Sequence, residues 1–115
     1  MATSTIKQTH TFINNTTLLE NTSVTDFSTE KTLTDDIRNY PFIMIIVGNA
    51  NGAIFNAITI NNIEFMNHSS NNNLIRLDCD NSGDNYALIK RDSTSYTKVY
   101  VQTHGTAYVK IVGVR

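Results

Sequence analysis

The sequence predicts an all-β fold, an antiparallel β-sandwich of jelly-roll-like form with about nine short strands. Three observations carry that prediction. Ile, Val and Thr number 13, 7 and 16, against only 6 Leu and 6 Ala. β-branched side chains are stiff at χ1 and pack well on a pleated surface, whereas Ala and Leu favour helices. Asn and Ser add 15 and 8 residues whose side chains bond the local backbone and favour turns. From Thr16 onward, short apolar stretches alternate with turn signals about every 8–12 residues, the spacing of a sandwich or barrel. The same composition argues against a helical bundle and against a doubly wound α/β fold. With 115 residues there is room for one hydrophobic core and hence one domain.

Taken in order, residues 1–15 show no sustained period and read as a flexible N-terminal arm or linker, ordered only against a partner. Residues 16–115 form the single sandwich domain. Its strands are read at Thr16–Leu19, Lys31–Thr34, Phe42–Val47, Ile54–Ile60, Ile63–Met66, Leu74–Cys79, Asn85–Lys90, Lys98–Gln102 and Thr106–Val114. Phe42–Val47 is apolar at every position, which predicts a central strand covered on both sides. Pro41 stands just before it, where a missing N–H costs least. Ile54, Ile58 and Ile60 share a face and Asn61-Asn62 suits a two-residue turn, so Ile63–Met66 reads as the return strand of a hairpin. Ile75, Leu77 and Cys79 alternate with Arg76 and Asp78, the pattern of a half-buried strand. Val109 and Ile111 face opposite to Tyr108, Lys110 and Val112. Asp35–Asn39 can form one helical turn, and no longer helix is predicted.

Charge and composition exclude several function classes. Nine Lys and Arg balance ten Asp and Glu, with neither sign gathered into a run. A nucleic-acid binder needs a basic face, so none is predicted. The longest apolar run, Phe42–Val47, is far too short to cross a membrane, and Met1-Ala2-Thr3-Ser4-Thr5 lacks the apolar core of a secretory signal. A lone cysteine, Cys79, cannot form an internal disulfide and points to synthesis in a reducing cytosol. It falls on an inward face, where inert packing is the natural role.

Motifs for chemistry are sparse. Asp78-Cys79-Asp80-Asn81-Ser82-Gly83-Asp84 has the early spacing of a calcium loop, but Ile89 stands at the twelfth position where a bidentate Glu is required. It reads as a polar turn. His10, His68 and His104 are isolated from any ligand partner, and Gly48-Asn49-Ala50-Asn51-Gly52 joins two strands rather than opening a helix. No catalytic set, metal site or cofactor is predicted. A polysaccharide-cleaving enzyme would need two acids across a groove, and nothing in the loops suggests such a pair.

Binding is better served. If consecutive strands run antiparallel, alternate loops share one end of the sandwich, which would gather Gly48–Ala53, Asn67–Asn72 and Arg91–Thr97. These loops supply Asn49, Asn51, His68, Asn71, Asp92 and Tyr96 as candidate ligand contacts. Amides and a carboxylate offer paired donors and acceptors that suit sugar hydroxyls, and a Tyr ring offers an apolar face.

Several segments also carry a family pattern. Leu18, Asn21, Phe27, Leu33 and Asn39-Tyr40, followed by Phe42–Val47, match the entry of the domain that closes many phage tail proteins. Leu88-Ile89-Lys90-Arg91 before a Ser/Thr-rich hairpin, and the ending Tyr108-Val109-Lys110-Ile111-Val112-Gly113-Val114, match its later strands. Leu19 stands where Trp is usual and Val24 where Pro is usual. Over residues 16–115 the chain resembles the C-terminal β-sandwich domains of tail-fibre and baseplate receptor-binding proteins, of the type carried by phages and prophages of Firmicutes. The family shares no catalytic residues. The resemblance implies a non-enzymatic virion protein, made in the host cytoplasm, that binds bacterial surface polysaccharide. It also implies a homotrimer, with residues 1–15 contacting other virion proteins. The alternative is a structural virion protein, a capsid decoration or head-fibre subunit with no ligand of its own.

Overall fold

A computed structural model describes residues 15–21, 30–49, 54–105 and 107–115. Eight strands are present among the described residues: β1 Asn15–Asn21, β2 Glu30–Thr32, β3 Phe42–Gly48, β4 Asn56–Asn61, β5 Ile75–Asp78, β6 Tyr86–Arg91, β7 Lys98–His104 and β8 Tyr108–Val114. They form two four-stranded sheets, β1-β8-β3-β4 and β2-β7-β6-β5, in which every pairing is antiparallel. The all-β sandwich expected from composition is therefore the architecture. First pairs with last and second with second-last, the nested wrapping of a jelly roll. The nesting stops there: β3–β4 and β5–β6 are hairpins that each stay within one sheet.

The core lies between the sheets and follows the period of two. Ile43, Ile45 and Val47 of β3 point inward with Val109 and Ile111 of β8; Ile75, Leu77, Ala87, Ile89, Val99 and Val101 answer from the second sheet. Each aliphatic side chain of this size, fully buried, contributes about 1.5–3 kcal/mol. Tyr40 closes the core over Gly113, where an added Cβ would stand 2.5 Å from the ring. That approach requires glycine. The Tyr40 hydroxyl donates to Asp35 Oδ2 at 2.8 Å, so the ring is buried while its polar tip is satisfied.

One predicted strand is a helix. Asn62–Asn67 forms the single-turn α1 in place of the return strand at Ile63–Met66. Asn61 does not turn a hairpin but caps this helix, its side chain accepting from the Glu64 N–H at 2.7 Å. On a strand, Ile63 and Phe65 would share a face; here Phe65 is fully buried while Ile63 is 66% exposed. The preceding strand also starts later than expected, at Asn56, leaving Ile54 outside it. The helical turn expected at Asp35–Asn39 is present as a 3-10 turn at Ile37–Asn39, capped by Asp36. β3 is not covered on both sides by described residues: it sits between β8 and β4, with Met44 and Ile46 half-buried on the outer face and Phe42 48% exposed. The predicted arm at residues 1–15 lies outside the described residues except for Asn15, which opens β1.

Candidate functional site

Losing one strand reverses the direction of those that follow, and this redistributes the loops. β5 leaves the same end that β4 enters, so the loop after β3 and the loops around residues 68–74 and 92–97 lie at opposite ends of the sandwich. The predicted cluster divides accordingly. His68, Asn71, Asp92 and Tyr96 share one end: the His68 carbonyl accepts from the Arg91 N–H at 2.8 Å, and Asn71 Oδ1 accepts from Lys90 Nζ at 2.7 Å. Asn49 is at the other end, close enough to Asp80 to contribute to that carboxyl's lowered pKa. Asn51 lies outside the described residues.

The four that do meet are engaged in holding their own loops. Asp92 Oδ1 accepts from both the N–H and the hydroxyl of Thr94 at 2.8 Å, and these bonds, the backbone one first, lower its pKa. His68 Nδ1 donates to the Asn73 carbonyl at 3.1 Å. The Tyr96 ring lies under Arg38 at 4.0 Å and near Arg91 at 5.1 Å. The Tyr96 ring is thus partly covered by guanidinium groups of its own chain.

At the opposite end the Asp78–Asp84 loop is a polar turn with carboxylates directed to separate partners. Asp78 Oδ1 stands 3.4 Å from Arg76 Nη2. Asp80 accepts from the hydroxyl and N–H of Ser82 and from Asn85, and these bonds, the Ser82 hydroxyl first, hold its carboxyl below the ordinary value. Gly83 supplies a φ of 78°. No three His, Cys, Asp or Glu side chains converge among the described residues. Cys79 is buried, and desolvation raises its thiol pKa, keeping it protonated.

A more concentrated chemistry stands on the outer face of the second sheet, away from the loops. Register places Asp78, Tyr86 and His104 in one row across β5, β6 and β7; Arg76, Leu88 and Gln102 form the next, and Lys90, Tyr100 and Glu30 a third. Tyr86 stacks on His104 with centroids 4.9 Å apart and planes 9° apart, and the Arg76 guanidinium lies 3.9 Å from the Tyr86 centroid. Strand order puts Tyr86 between those two partners. Lys90 Nζ lies 5.1 Å from the Tyr100 centroid. His104 is oriented by its Nδ1–H, which donates to the Asp84 carbonyl at 2.8 Å.

At about 4.8 Å between strands, four strands give a platform about 14 Å wide. It presents cationic and amide donors beside ring edges, a set that suits hydroxyl-rich or anionic polymers laid along a surface. The signal was in the sequence: Tyr86-x-Leu88-x-Lys90 and Lys98-x-Tyr100-x-Gln102-x-His104 keep the same period as the buried residues, one position out of phase. Searches against protein-family models, curated proteins and solved structures find no match to this chain.

Proposed function

We propose that this chain is a non-enzymatic phage virion protein, a tail-fibre or baseplate receptor-binding module that recognises bacterial surface polysaccharide. The virion assignment is supported by the pattern that residues 16–115 share with the sandwich domains of phage receptor-binding proteins. The observation that carries the binding assignment is the Arg76–Tyr86–His104 stack with Lys90, Tyr100 and Gln102 on one outer sheet face. A sugar polymer lying across these strands meets donors at intervals set by the pleat, with ring edges between them. This reading puts binding on the sheet face, where cations and rings are most concentrated, rather than at the loop end.

The test is retention of the protein on a glycan array and on envelopes of a sensitive host. Arg76→Ala and Tyr86→Ala should each weaken retention at least tenfold, about 1.4 kcal/mol of binding free energy. Met44→Ser on the opposite sheet should leave it unchanged. Absence of retention on every envelope would remove the receptor-binding reading. The alternative, a structural capsid-decoration or head-fibre subunit, is favoured by the apolar outer face carrying Phe42, Met44 and Ile46. Immuno-electron microscopy separates the two, with label at the tail tip for the first and on the head for the second.

A further inference from the structure

The four sheet edges are not alike. β1 carries a register shift between Thr17 and Leu19 and a charge at Glu20. β2 is three residues long and includes Glu30 and Lys31. β5 is four residues long and includes Arg76 and Asp78. Shortness, bulges and charges are the devices that stop an edge from accepting another strand. β4 has none of them. It is six residues, Asn-Ala-Ile-Thr-Ile-Asn, uncharged, and in unbroken register with β3. No described strand pairs with its other side. Of the large apolar side chains exposed among the described residues, three flank this edge, Ile54 at 69%, Phe55 at 45% and Ile63 at 66%, and a fourth, Phe42, stands on β3 beside Asn61.

We infer that β4 is the docking edge for a second copy of this chain, the two strands pairing antiparallel about a two-fold axis to extend the first sheet to eight strands. This inference is independent of what the second sheet binds. The sequence of β4 selects the register. Centring the axis on Thr59 sets Thr59 against the partner's Thr59, and Ile58 against the partner's Ile60 on the inner face. Like residues of this kind are favourable cross-strand pairs. Centring it on Ile58 would instead set Ile60 against the partner's Asn56. The favoured register also brings the end bearing Ile63 to the end bearing the partner's Ile54 and Phe55, so both apolar ends are covered.

Residues 54–63 hold no charged side chain, and two identical edges meet without repulsion. A standard specific interface takes about 800 Å² from each partner, and an edge of six residues with its flanks belongs toward the small end of that range. The association is accordingly reversible and concentration-dependent. Because the described residues offer one such edge per chain, assembly closes at two. That differs from the trimer that the family resemblance implies.

Sedimentation velocity over a dilution series tests it, with a reversible shift between one and two chain masses as the expected result. Thr59→Lys places two ammonium groups on the axis and should raise the dissociation constant at least tenfold. Below the dissociation constant, where the chain is monomeric, the thermal unfolding midpoint should be unchanged, since Thr59 is exposed. Thr59→Cys should oxidise to a covalent dimer, because facing residues on antiparallel strands have Cα atoms about 4.5–5.5 Å apart, within disulfide reach. Ala57→Cys should not, its two copies being about 14 Å apart along the strands at ~3.4 Å per residue. A monomer at all concentrations, a trimer mass, or equal cross-linking from positions 57 and 59 would overturn the inference.

Discussion

The outer face of the first sheet carries Phe42, Met44, Ile46, Val112 and Val114 beside the charged Glu20 and Lys110, whereas that of the second carries Arg76, Asp78, Tyr86, Lys90, Tyr100, Gln102 and His104 around Leu88. The inner faces of the two sheets are alike, both aliphatic and both part of one cluster. Val112 and Tyr108 sharpen the contrast, since both are buried at 4% exposure yet stand outside that shared cluster. The alternation that builds the fold thus leaves every second position unconstrained by the core. Those positions diverge according to what each sheet meets outside. One face is mainly aliphatic, the other mainly cationic and aromatic.

The sharpest way to break this comparison is to attack what the sheets share. Ile45→Ala in the first sheet and Ile89→Ala in the second each remove a fully buried side chain, and each should cost about 2–5 kcal/mol. Denaturant unfolding should remain a single transition for both variants, at a lower midpoint. Two separated transitions would mean that the sheets do not share a core. A smaller effect should come from the first sheet alone. Gly113→Ala drives a methyl into the Tyr40 ring, and overpacking of this kind costs about 1–3 kcal/mol, read from the same titration.

The smallest effect isolates the outer side of the first sheet. The Tyr108 hydroxyl donates to the Glu20 carboxylate across β8 and β1. Burial, then that bonded carboxylate, raises the Tyr108 pKa from 10.0 to about 12. Because the folded state keeps the proton longer than the unfolded chain, this contribution is full below 10.0 and is lost as pH rises to about 12. Tyr108→Phe should cost about 1 kcal/mol at neutral pH and flatten that alkaline decline. Stability against pH, followed by circular dichroism, gives both.

How far the sequence could be read depended on which residues signal locally. The inward alternation at Ile75, Leu77, Val109 and Ile111 is a backbone period and needs no tertiary knowledge, so those strands were legible. Ile63 and Phe65 were not: two apolar residues at spacing two fit a strand, while burial of Phe65 alone reveals a helical turn. The deciding mark was Asn61 three residues before Glu64, a capping pattern read instead as a hairpin turn. That local error propagated, because one strand more or fewer decides to which end each later loop goes. The loop cluster of Asn49 with His68, Asn71, Asp92 and Tyr96 depended on that count. The Tyr86 platform did not, since it depends only on alternation within β5, β6 and β7.

Asn15 and Val114 are register partners, and Phe42 pairs with Val114 beside them. Tension entering through residue 15 and leaving through residue 114 therefore pulls on neighbouring, oppositely running strands from the same end. Such a load does not shear the β1–β8 ladder as a block. It peels the ladder like a zipper, parting Asn15 from Val114 first and reaching Asn21 opposite Val109 last. The domain yields at low force when held by both ends, and resists far better when one end alone is anchored and the load comes onto a sheet face.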